Sequence, residues 1–142
     1  MKDTPWAQFD SSILARALFA RTLCLRGFLD QAVVHAQRTL IDARDRDLKH
    51  AQGEVLRLAA CPVALLTGDL AAAEQAIAQY REIAASVNVG NRLPPLLADC
   101  FEGELLILRQ EFANGVATLR EAMNQLKPTG WTTTSDTTRL FR

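Results

Sequence analysis

Arg26-Gly27-Phe28-Leu29-Asp30-Gln31-Ala32, Thr67-Gly68-Asp69-Leu70-Ala71-Ala72-Ala73 and Arg109-Gln110-Glu111-Phe112-Ala113-Asn114-Gly115 are three versions of one short turn, recurring at offsets of 41 and then 42 residues. Each lies between two apolar stretches of helical period. A fixed period in this range marks stacked helix-turn-helix units, because a single helical pair cannot bury its apolar face alone. The chain therefore reads as all-α: a right-handed α-α superhelix of three tetratricopeptide-like helical hairpins (six helices), with the start of a seventh.

Working outward from the first turn, Asp10, Ser11 or Ser12 is placed to cap a helix with apolar positions Ile13, Leu14, Ala17, Leu18, Cys24 and Leu25. Gly27 is expected to end it in the left-handed conformation that side-chain-bearing residues avoid. The second helix carries Leu29, Ala32, Val33, Ala36, Leu40 and Ala43 at spacings of three and four. It runs into Asp42-Ala43-Arg44-Asp45-Arg46-Asp47, a mixed-sign, solvated end.

The second unit is apolar on more than one side from Ala51 to Thr67, as expected of a helix packed between neighbours. Gly68 closes it, and Asp69 is placed to accept a hydrogen bond from the next helix's first amides. That helix buries Leu70, Ala73, Ile77, Tyr80, Ala84 and Val87, and Asn88, Gly90 and Asn91 stop it. Pro94 and Pro95 suit the first turn of a fifth helix carrying Leu96, Leu97, Phe101, Leu105, Leu106 and Leu108. Its turn has Gln110-Glu111 where the second unit has Gly68-Asp69. The sixth helix follows with Phe112, Val116, Leu119, Met123 and Leu126, ended by Pro128-Thr129-Gly130. Superposing the units aligns Leu25 with Leu66 and Leu108, and Ala32 with Ala73 and Gly115. Small residues at the latter position let the two helices of a unit cross closely.

The domain organisation is a lead-in at 1–9, a repeat domain at 10–130 and a polar tail, or truncated next helix, at 131–142. With 142 residues, one domain buries its core without disulfides. Sixteen Lys and Arg balance sixteen Asp and Glu, so no net field draws nucleic acid or an anionic membrane. Direct nucleic-acid contact and membrane insertion are not expected. Cys24, Cys61 and Cys100 are far apart and set in apolar stretches, which reads as three buried free thiols in a reducing, cytoplasmic setting. No close ligand pairs suggest a metal, no glycine loop suggests a phosphate, and no cofactor is implied. His35 reads as a half-buried packing residue and His50 as an exposed helix start. Glu102 and Glu104, two apart on a helix, diverge and make no acid/base pair. An enzyme is not expected.

Residues 13–130 resemble the tetratricopeptide-like region of large bacterial signalling proteins. The likeness is carried by Leu25-Arg26-Gly27-Phe28-Leu29-Asp30-Gln31-Ala32, by Ala60-Cys61-Pro62-Val63-Ala64-Leu65-Leu66-Thr67-Gly68-Asp69-Leu70-Ala71-Ala72-Ala73, and by Cys100-Phe101-Glu102-Gly103-Glu104-Leu105-Leu106-Ile107. Those proteins join a winged-helix DNA-binding or nucleotide cyclase domain to an ATPase module, with a long helical-repeat half following. The resemblance implies a module of a signal-transduction or transcriptional regulator, with ATPase and DNA-binding activities in other parts of the polypeptide.

Two features bear on recognition. Arg16, Arg57 and Asp99 hold the same position of successive first helices, with Glu54 and Glu102 near the same face. First helices of stacked pairs line the concave surface, so these five residues are the candidate partner-binding set, two guanidiniums among them suited to a carboxylate or phosphate. The same residues could instead bridge adjacent helices by salt links. Pro62, inside the third helix, is expected to kink it and widen the groove. The reading that follows is a non-catalytic module binding a partner protein or another domain of its own polypeptide. The alternatives are a small-molecule sensor with its ligand near Pro62 and Arg57, or a homodimer formed through the uncapped last repeat.

Overall fold

The computed structural model describes residues 11–87 and 90–129, so Asp10, Asn88 and both terminal segments fall outside it. The described residues are helical, with no strand among them. The elements are α1 (Ser11–Leu25), α2 (Leu29–Asp45), α3 (Lys49–Val55), a π-helical segment (Leu56–Ala60), α4 (Cys61–Thr67), α5 (Leu70–Val87), α6 (Leu93–Leu108) and α7 (Phe112–Leu126), closed by a 3-10 turn (Lys127–Thr129). The third helix expected from Ala51 thus begins at Lys49. It is one unbroken rod made of α3, the π segment and α4.

Buried positions follow the helical period. In α1 the buried apolar residues are Ile13, Ala17, Ala20 and Cys24, with Arg21 buried beside them, and in α2 the buried residues are Ala32, Ala36, Thr39 and Ala43, each set of four at spacings of four, three and four. The third rod and α6 are buried around most of their circumference, since each has neighbours on several sides. Leu18 and Leu25 of α1, by contrast, are exposed although their spacing reads as core. They lie off the narrow alanine-lined seam that meets α2. Val55, Leu58 and Ala59 join Ile13, Ala17, Ala20, Ala36 and Ala43 in one cluster, Cys24 and Ala32 pack with Val63 in a small second one, and Leu56, Leu65, Ile77, Tyr80, Phe101 and Leu105 centre the largest; Leu40 packs on the first and the last.

The turns share one hydrogen-bonding scheme. In 23–28, 43–48, 64–69 and 106–111 the last amide donates to the first carbonyl and the fifth to the second, at 2.9–3.2 Å. That scheme ties up helix-terminal carbonyls and puts its fifth residue in the left-handed region. Gly27 (φ 88°) and Gly68 (φ 75°) occupy that place as expected, while Asp47 (φ 51°) and Gln110 (φ 67°) occupy it with a side chain. The third unit therefore keeps the backbone of the other two despite having no glycine there. Asp69 Oδ1 accepts from the Ala72 amide at 3.1 Å, and Asn91 Oδ1 from the Leu93 amide at 3.0 Å.

Within each unit the aligned small residues are buried: Ala20 and Ala32 in the first, Cys61 and Ala73 in the second, Gly103 and Gly115 in the third. In the third the two helices meet at these residues. A Cβ on Gly115 would lie 2.9 Å from the Gly103 carbonyl oxygen and 2.6 Å from Ile107 Cγ1, and one on Gly103 would lie 2.6 Å from Leu119 Cγ. Only hydrogen fits at either position.

Candidate functional site

The π segment decides where the polar residues of the third rod face. The Cys61 amide donates to the Leu56 carbonyl, five residues back instead of four, so the segment holds one residue more than an α-turn. Pro62, which has no amide to donate, follows at the start of α4. Residues before the segment are consequently out of phase with those after it by about 100°, one residue's rotation. Counted from the turns, Glu54 corresponds to Ile13 and Leu96, which are 1% and 5% exposed. Glu54 is instead partly exposed, with a third of its side chain accessible.

The expected row is accordingly not one straight ladder. Arg16 Nη1 lies 2.8 Å from Asp42 Oδ2, linking α1 to α2. Arg57 Nη2 donates to Glu54 Oε2 at 2.6 Å and Nε to Oε1 at 3.4 Å, within the rod. Asp99 Oδ1 is 2.9 Å from Arg81 Nη2, linking α6 to α5. Glu102 is half-buried on α6. Each of the three row positions thus carries a charge held by a counter-charge, with partial access to solvent.

Two of the five residues, Glu54 and Arg57, wall a hollow of about 270 Å³ enclosed by α3, the π segment, the second half of α5 and the start of α6. Its floor and sides are Tyr80, Ile83, Ala84, Leu93, Pro94 and Leu97, and His50 and Asn91 complete its polar lining. His50 is therefore half-buried at this wall, where an exposed position was expected. Gly53 also lines it. A Cβ there would meet only Ile83 Cγ2, at an ordinary 3.4 Å. Tyr80 is 4% exposed and stacks edge-on against Phe101. Burial pushes its phenol well above the usual range, with Glu54 and Cys61 adding to the rise and Arg57 opposing it. The phase slip that brings Glu54 here had no sign in residue types, whereas the burial of Tyr80 was visible in its spacing from Ala73, Ile77 and Ala84.

A second hollow, about 280 Å³, lies between α2, α4 and α5, lined by Leu40, Ile41, Arg44, Thr67, Gln75 and Gln79 among others. None of the five candidate residues borders it.

The cysteines are free and buried. Burial, then the nearby Glu104, lifts the Cys61 thiol well above its ordinary range, and the same causes with Asp99 push Cys100 up to about 11. Burial alone raises Cys24. Such thiols stay protonated and unreactive. Glu104 itself is pushed up to about 7 by burial. Among the described residues no three His, Cys, Asp or Glu side chains converge on a metal position, and no helix is long and apolar enough to cross a membrane.

No protein-family model matches the chain, and no match was found among curated proteins or solved structures. The functional reading rests on the geometry above.

Proposed function

We propose that this chain is a cytoplasmic, non-catalytic helical-repeat module of the tetratricopeptide-like kind, belonging to a larger bacterial signal-transduction or transcriptional regulator. It captures a partner protein, or another domain of its own polypeptide, on the face carrying Arg16, Glu54, Arg57, Asp99 and Glu102. Stacked repeats keep a continuous core and leave surface positions free to vary, so one face specialises without loss of fold.

The observation that carries this reading is the ordering of the polar row. Arg16, Arg57 and Asp99 are each fixed by an ion pair at 2.6–2.9 Å yet remain 43%, 15% and 43% accessible at the side chain. Side chains ordered before contact lose less entropy on binding. The two exposed pairs, at Arg16 and Asp99, add only about 0–1 kcal/mol each to stability, so recognition explains their presence better than stability does. The triple variant Arg16→Ala, Arg57→Gln, Asp99→Ala is expected to melt within a few degrees of the parent while losing specific proteins from an affinity capture. Capture of the same proteins by both would overturn the proposal.

A self-assembly reading is favoured by one observation. Leu108, Phe112, Val116 and Met123 are exposed in a strip along the end of α6 and one side of α7, Phe112 at 60%. Light scattering over a concentration range tests it, and a strictly monomeric species counts against it.

A further inference from the structure

Tyr80 is nearly sealed inside the fold, yet its hydroxyl makes no hydrogen bond to any described residue. No buried side-chain nitrogen or oxygen among the described residues lacks a partner, so this oxygen keeps some access to solvent, and Tyr80 lines the hollow. An almost buried hydroxyl held toward a hollow recognises a guest that offers a matching atom, because leaving it unpaired is unfavourable. Beside it the Arg57–Glu54 pair is closed at 2.6 Å. The paired charges largely cancel, so the wall offers no free counter-charge to an ionic guest, which would give up its hydration uncompensated on entering. The remaining lining is largely aliphatic. Gly53 lies within a helix at a position where its missing Cβ would meet one atom at 3.4 Å. An alanine fits there and favours the helix more, so the glycine keeps the space open rather than relieving a clash.

We infer that this hollow is a binding site for a small, uncharged ring compound carrying one hydrogen-bonding heteroatom. Since a dry cavity of about 150 Å³ accepts benzene, a hollow of about 270 Å³ accepts a guest of roughly ten non-hydrogen atoms. The site goes beyond capture of a protein on the polar row, and the failure of either reading leaves the other standing.

The chain has one tyrosine, so substituting 3-fluorotyrosine gives one fluorine resonance that reports on the hollow. The whole chain is titrated with indole, and with benzoate and benzylamine as probes of similar size and opposite charge. Indole is expected to shift the resonance saturably and raise the melting temperature, with benzoate and benzylamine at least tenfold weaker. In calorimetry, Tyr80→Phe should weaken indole about five- to tenfold while the melting temperature without ligand stays close to that of the parent. Gly53→Leu, which fills the hollow from a position free of clashes, should abolish binding in a folded protein. Tighter binding of either charged probe, affinity unchanged in both variants, or no saturable shift with any probe would each overturn the inference.

Discussion

A side chain in the left-handed backbone region costs about 1–2 kcal/mol against the right-handed one, and Asp47 and Gln110 both carry that cost at φ 51° and 67°. Gln110→Gly should therefore raise stability by about 0.5–1 kcal/mol, net of the glycine's greater freedom when unfolded. Gly68→Ala should lower it by about 1 kcal/mol for the opposite reason. Urea denaturation of both variants measures the difference, and the reverse order would show that the turn does not impose this backbone. The glycines at 27 and 68 could be read directly as left-handed. Gln110 could not, because its conformation comes from the shared hydrogen-bonding scheme and not from its own preference. Glu104 has an expectation of its own. Burial lifts its carboxyl from the ordinary 4.5 to about 7, so the folded chain holds the proton more tightly than the unfolded one. Its contribution is full below about pH 4.5 and is lost as pH rises through about 7, a change on the order of 2–3 kcal/mol. Glu104→Gln should flatten that part of the stability profile and make the protein more stable at pH 8. An unchanged slope between pH 5 and 8 would show the carboxyl to be well solvated.

Three glycines inside helices play different parts, and the contrast is measurable. At the α6–α7 crossing, Gly115→Ala forces a Cβ to within 2.9 Å of a backbone oxygen, and neither helix can move away without opening the seam. The expected loss is about 1–3 kcal/mol, as for other overpacked cores. Gly53→Ala meets no such obstacle and should be neutral or stabilising by up to about 1 kcal/mol. Thermal unfolding of the two single variants decides this, and equal destabilisation would contradict the packing described for α3. The place of Gly115 in a close crossing was readable from its alignment with Ala32 and Ala73. Its partner Gly103 lay in a quoted stretch, but nothing in that stretch distinguished a crossing from a flexible point. The π segment was less accessible still. Pro62 announced a disturbed helix, yet a fifth-residue hydrogen bond leaves no mark in composition, and the five candidate residues were aligned as if every first helix kept one phase.

At the scale of the molecule, period and turn chemistry were enough to place the six helical rods found among the described residues, because most local preferences agree with the packing around them. What exceeded the sequence was which polar residues meet, since that depends on rotations set by neighbours. The strip formed by Leu108, Phe112, Val116 and Met123 gives a test at this level. Phe112→Glu together with Val116→Glu should leave the core intact, because both side chains lie outside it, and should hold the chain monomeric at concentrations where the parent associates. Sedimentation at several concentrations reads the outcome, and identical behaviour of the two proteins would remove the strip from any account of assembly.

The extra residue between Leu56 and Ala60 has a genetic corollary. A gene lacking one codon there would set Pro62 inside a regular α-helix, its ring against the carbonyl four residues back, with the same turns and the same Thr67 end. Its first seven residues, from Lys49, would swing by more than a quarter of a revolution, carrying Glu54 and Gly53 off the hollow. Small in-frame deletions elsewhere in a helix are expected to be merely harmful, but at this point one would change which side chains line the hollow.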